Sequence, residues 1–68
     1  MRYYKGQKLL QRYESDDLKI ETFYDKYFNS YGIVAINKKD DALIADNVVN
    51  VKSDIYKLFD EYMHRYVF

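Results

Sequence analysis

The chain has to hold 68 residues together without covalent or metal crosslinks, because it contains no cysteine and a single histidine, His64. The lack of cysteine excludes disulfides, zinc–thiolate sites and thiol chemistry. A domain of this size buries only about 60% of the surface that its unfolded chain exposes, so its stability is marginal unless a partner adds to it. We expect a single domain over residues 1–68, with no cofactor and no metal.

The charges balance, with eleven basic and eleven acidic side chains. A net charge of zero argues against a generally basic protein that coats nucleic acid. No apolar run approaches the roughly 20 residues that cross a bilayer, and the first residues, MRYYKGQK, lack the apolar stretch of a secretory signal. We therefore predict a cytoplasmic protein with no membrane partner.

Residues 15–31 have the apolar spacing of an amphipathic helix. Ser15 is a candidate N-cap, and Gly32 stands where a glycine would end the helix. The residues between them recur at intervals of three and one, as on one face of a helix: Ile20, Phe23, Tyr24, Tyr27, Phe28 and Tyr31. The spacing predicts a helix over 15–31.

A second helix is predicted over residues 53–66, with Ser53 as its N-cap and Asp54 in its first turn. Its apolar stripe consists of Ile55, Leu58, Phe59, Tyr62, Met63 and Tyr66. The apolar C-terminal residues Val67 and Phe68 are expected to dock on the domain.

The remaining segments indicate strands. Residues 1–14 favour a strand, and residues 33–45 have the pattern of a hairpin around the polar turn 37–41. Residues 46–52 fit either a strand or the start of the last helix. The prediction is an α+β domain in β-α-β-β-α order, with two amphipathic helices packed on one face of a short antiparallel sheet.

Catalytic constellations are absent from the pattern. Ser15 and Ser53 are explained as helix caps, and His64 falls on the polar side of the last helix. The carboxylate pairs fall in turns or on polar helix surface, where neither member would be buried: Asp16–Asp17, Asp40–Asp41 and Asp60–Glu61. We predict that the protein is not an enzyme.

Aromatic residues are the outstanding feature of the composition, with nine tyrosines and four phenylalanines. A two-layer domain of this size cannot bury so many rings, and tyrosine is favoured in protein interfaces. We predict a protein-binding module, a regulator or inhibitor, that forms a homodimer or binds another protein. The composition also hints at a phage or mobile element. The predicted contact residues are Tyr24, Tyr27, Tyr31, Tyr56, Tyr62, Tyr66 and Phe68.

The alternative function is nucleic-acid binding by the N-terminal segment. Cations interleaved with tyrosines could contact phosphates and stack on bases. The residues of this alternative site are Arg2, Tyr3, Tyr4, Lys5, Lys8 and Arg12. The same pattern is also typical of an edge strand whose cations prevent aggregation.

Overall fold

In a computed structural model of the protein, which describes residues 7–68, four strands precede one helix. The elements are β1 (Gln7–Glu14), β2 (Leu18–Asp25), β3 (Ser30–Asn37), β4 (Ala42–Val49) and α1 (Lys52–Tyr66). Each strand pairs antiparallel with the next, in the sheet order β1-β2-β3-β4. The predicted β-α-β-β-α order with two helices is therefore wrong.

The helix predicted over residues 15–31 is instead a β-hairpin, made of β2, a four-residue loop over 26–29 and β3. Within β2, Ile20 faces α1 whereas Glu21 faces the opposite side of the sheet. Isoleucine, threonine, phenylalanine and tyrosine all favour strands, which outweighs the apparent helical spacing. The residues with helical spacing belong to two strands and to the loop between them, so they do not lie on one face of a helix.

The two residues that were predicted to cap that helix, Ser15 and Gly32, have other roles in the hairpin structure. The hydroxyl of Ser15 accepts a hydrogen bond from the amide of Leu18 at 3.2 Å in the β1–β2 turn. Gly32 lies inside β3, where a Cβ atom would stand 2.5 Å from Cζ of Phe23. The loop instead ends at Asn29, whose φ of 50° lies in the left-handed region that asparagine tolerates.

The hairpin predicted over residues 33–45 is confirmed, with its loop at 38–41. Asp41 takes a φ of 56°, and Oδ1 of Asp40 accepts the amide hydrogen of Ala42 at 3.2 Å. Of the two interpretations of 46–52, the strand is correct as far as Val49. A register shift opposite Ala35 and Ile36 marks a bulge earlier in β4. The strand predicted over 1–14 is confirmed for residues 7–14, and its first six residues lie outside the described range.

The C-terminal helix is confirmed, but its predicted cap is wrong. The N-cap is Val51, which forms no side-chain capping bond, so Ser53 lies inside the first turn beside Asp54. At the other end, the amides of Val67 and Phe68 both donate to the carbonyl of Met63. Val67 packs against the core, whereas the Phe68 side chain is 79% exposed.

The core lies between α1 and one face of the sheet. It is built from Ile20, Ile33, Ala35, Ile55 and Tyr62, and α1 packs across β2, β3 and β4. Residues directly opposite one another in an antiparallel ladder share a face. The other face, which α1 does not cover, is therefore defined by rows such as Arg12–Glu21–Val34–Asp46 and Leu9–Phe23–Gly32–Val48. We call it the helix-free face.

Candidate protein-binding surface

The β2–β3 loop displays two large rings to solvent. Tyr27 is 63% exposed and Phe28 is 76% exposed. Oδ1 of Asp25 accepts the amide hydrogens of Tyr27 at 2.9 Å and of Phe28 at 3.4 Å, and the hydroxyl of Tyr24 donates to Oδ1 of Asn29 at 2.9 Å. Because these bonds order the loop before any encounter, a partner that covers the rings loses less conformational entropy on binding.

A groove of about 480 Å³ lies beside this loop. The ring of Phe23 packs on Gly32 within it, because glycine leaves the space that a side chain would occupy. The lining residues are Gln7, Phe23, Asp25, Phe28, Ser30, Gly32, Val48 and Asn50. Half of the lining residues are polar and Asp25 is buried, so the groove combines aromatic and aliphatic surface with hydrogen-bonding groups.

Strand β4 extends the apolar surface away from the groove. Leu43 is 57% exposed, Ile44 44% and Val48 66%. Leu43 lies opposite Ile36 and Val48 opposite Gly32, which places both on the helix-free face. We call the exposed large apolar residues of the β2–β3 loop and of β4 the exposed apolar surface: Tyr27, Phe28, Leu43, Ile44 and Val48.

The predicted contact residues do not form one patch, and among them only Tyr27 belongs to the exposed apolar surface. Tyr24 and Tyr31 form a half-buried ring pair with centroids 5.0 Å apart. Tyr62 is 5% exposed and lies in the core, where its ring meets that of Tyr66 edge-on at 5.6 Å. The two remaining candidates, Tyr56 and Phe68, are exposed on or after α1.

Four members of the exposed apolar surface are not among the predicted contact residues: Phe28, Leu43, Ile44 and Val48. Phe28 was assigned to the helix predicted over 15–31. The other three belong to a strand whose sequence, ALIADNVV, contains no lysine, arginine, proline or glycine. A strand of that composition at the edge of a sheet is itself a signal of an interaction site.

The alternative nucleic-acid site is not assembled within the described residues. Arg2, Tyr3, Tyr4 and Lys5 lie outside that range. Lys8 stands opposite Tyr24, on the side of α1, whereas Arg12 stands opposite Glu21 on the helix-free face and donates to its carboxylate at 2.9 Å. Lys8 and Arg12 thus lie on opposite faces of β1.

Two titratable groups have displaced pKa values. A hydrogen bond from Nζ of Lys38 to Oε2 of Glu14, at 2.6 Å, and the charge of that lysine lower the pKa of Glu14. Burial raises the pKa of Tyr62, with smaller contributions from the neighbouring charges. The shift at Glu14 arises from its contact with Lys38, and the shift at Tyr62 arises from its burial in the core. Neither residue belongs to the exposed apolar surface.

His64 lies 3.8 Å from Asp60 on the exposed side of α1, where both side chains are more than half exposed. Within residues 7–68 no three histidine, aspartate or glutamate side chains are grouped so as to hold a metal ion. Over the same residues, α1 has neither the length nor the apolar character that would let a helix cross a bilayer.

Comparisons of the chain with family models, with curated proteins and with solved structures find no match in any of the three.

Proposed function

We propose that this protein is a small non-enzymatic module that binds another protein through its exposed apolar surface. The observation that carries the proposal is the exposure of five large apolar side chains, by 44–76%, on the β2–β3 loop and on β4. Scattered single exposures are normal on any protein surface. Here Phe28 and Val48 line the same groove, Tyr27 adjoins Phe28 in the loop, and Leu43 lies on the same face of the sheet as Val48.

The energetics of a small domain support this function. A core of this size supplies no more than roughly 3–5 kcal/mol, and a partner that binds only the folded state adds stability by mass action. Aromatic residues on an ordered loop are the kind of side chain that contributes most binding energy in protein interfaces.

The test is capture of proteins from lysate of the source cell on the immobilised protein, with nuclease-treated lysate as a second arm. The variant Tyr27→Ser combined with Val48→Ser should lose the captured protein. Tyr56→Ser is the matched control, because Tyr56 is also an exposed aromatic but lies on α1. It should retain capture.

Equal capture by the wild type and by the Tyr27→Ser/Val48→Ser variant would overturn the proposal. So would capture that disappears after nuclease treatment, since that result would favour nucleic-acid binding.

A further inference from the structure

We propose that the free edge of β4 binds an extended segment of the partner protein by strand addition, and that the segment carries a lysine or arginine opposite Asp46. This inference rests on the proposed protein-binding function and specifies the chemistry of the partner. Three observations support the inference: the open edge of β4, the side chains along this strand, and the charge of Asp46.

The edge is open in the part of the chain that the structure describes. β4 pairs with β3 alone and ends the sheet order, and six of its eight residues are exposed. The amide of Val48 donates to Oδ1 of its neighbour Asn47 at 2.8 Å. Because this amide bonds to a side chain and not to β3, it lies on the open side of β4, where the carbonyl of an added strand can replace Oδ1 of Asn47.

The two edges of the sheet differ in how they resist pairing. β1 carries Lys8 and Arg12, which discourage contact with another strand. β4 has no cation and no proline, and its protection consists of the bulge at Ile44 and the charge of Asp46, which admits a strand that carries a cation. The bulge limits regular pairing to residues 45–49, about the length of an average strand.

The side chains of β4 define the sequence that fits. On the helix-free face, Asp46 lies between Leu43 and Val48 along the strand. Asp46 is exposed and forms no ion pair within residues 7–68. A segment that presents a cation between two aliphatic residues therefore matches both the charge and the apolar neighbours.

A second copy of the chain fits this edge less well. Pairing β4 with β4 of a second copy in register at Asp46 would bring two carboxylates together. A second copy could instead offer β1, whose cation on the helix-free face is Arg12. That guanidinium already donates to the carboxylate of Glu21, so it is not free to pair with Asp46. These charges favour a foreign segment as the occupant.

The probe is a capped nonapeptide, STVTKTVTS, which presents one lysine between two valines on one face. Its partner probe, STVTETVTS, differs only in the central charge. Titration into the ¹⁵N-labelled protein should shift the amides of residues 45–49. The lysine peptide should bind about fivefold more tightly than the glutamate peptide, as expected for one exposed charge pair.

Asp46→Lys should reverse this preference, whereas Asp60→Lys, the same charge change on the exposed side of α1, should leave it unchanged. Absence of shifts in residues 45–49 at millimolar peptide would overturn strand addition. Equal affinity for the two peptides, or concentration-dependent pairing of β4 with a second copy, would overturn the assigned occupant. Because the lysate capture does not use these peptides, it can succeed where strand addition fails.

Discussion

Nε of Arg12 donates a hydrogen bond to Oε2 of Glu21 across 2.9 Å, which joins a half-exposed guanidinium to a carboxylate side chain that is only 2% exposed. The two residues face each other in the β1–β2 ladder. Oε1 of the same carboxylate is buried with no hydrogen-bond partner among the described residues. Arg12 is therefore the group that compensates a buried charge on the helix-free face.

We expect Arg12→Ala to lower the free energy of unfolding by about 3 kcal/mol, because it leaves Glu21 buried without its counter-ion. For a domain stabilised by roughly 3–5 kcal/mol, that loss leaves about 0–2 kcal/mol, so the folded fraction at 25 °C falls to about one half at the lower end of this range. Urea denaturation followed by circular dichroism measures it.

The control is the paired replacement Arg12→Met with Glu21→Met, which removes both charges and retains side-chain volume. It should unfold at a urea concentration close to that of the wild type. If Arg12→Ala and the paired variant were equally destabilised, the loss would come from packing and not from the uncompensated carboxylate.

The contact between Gly32 and Phe23 gives the second prediction. Gly32→Ala should cost about 1–3 kcal/mol, because the new methyl group would stand 2.5 Å from Cζ of Phe23 and would force the ring to move. Thermal denaturation of Gly32→Ala, Phe23→Leu and the double variant forms a complete cycle. The double variant should be more stable than the sum of the single effects predicts. Strict additivity would mean that the ring and the glycine do not interact.

The hairpin at 33–45 and the helix at 53–66 could be predicted from the sequence because local signals agree with the final structure. In the hairpin, two β-branched or apolar runs flank a polar loop. In the helix, the apolar stripe that includes Ile55 and Tyr62 faces the core. For both elements, short-range periodicity and long-range packing favour the same structure.

Residues 15–31 could not be predicted in the same way, because their spacing fits two periods. Tyr24 and Tyr31 are seven residues apart, which is two helical turns, yet they are also directly opposite each other across a four-residue loop. The pairing of β2 with β1 and β3 decides between the two structures, and it depends on residues distant in sequence. The wrong helix also hid part of the candidate surface. A helix over 15–31 would place Phe28 on its apolar face, whereas in the loop at 26–29 this side chain is exposed.

The contact between Glu14 and Lys38 predicts how stability depends on acid. The pKa of Glu14 is lowered from its ordinary value of 4.5, chiefly by the hydrogen bond from Lys38. The unfolded chain therefore takes up this proton first as the pH falls. The stabilisation is present above the ordinary pKa and is lost as the pH falls through the lower pKa of the folded state.

Lys38→Met should reduce the difference in urea midpoint between pH 6 and pH 3. Lys39→Met is the matched control, because it removes the same charge from the next position in the same loop. Lys39 lies 3.5 Å from Asp17, and both of those side chains are mostly exposed. The control should retain the acid dependence of the wild type. An unchanged dependence in Lys38→Met would assign the acid sensitivity to other carboxylates.

Tyr62 predicts the dependence on alkali. Burial raises its pKa above the ordinary value of 10.0, because the phenolate is poorly solvated between α1 and the sheet. The folded state therefore holds this proton more tightly than the unfolded chain does. The corresponding stability is present below the ordinary pKa and is lost as the pH rises from there through the pKa of the folded state.

Tyr62→Phe keeps the ring but has no proton to lose, so its urea midpoint should fall less than that of the wild type between pH 9 and pH 11.5. Tyr56→Phe removes a hydroxyl from an exposed position on the same helix and should follow the wild type. If Tyr62→Phe and Tyr56→Phe lost stability in parallel with the wild type, the alkaline transition would not arise from the buried phenol.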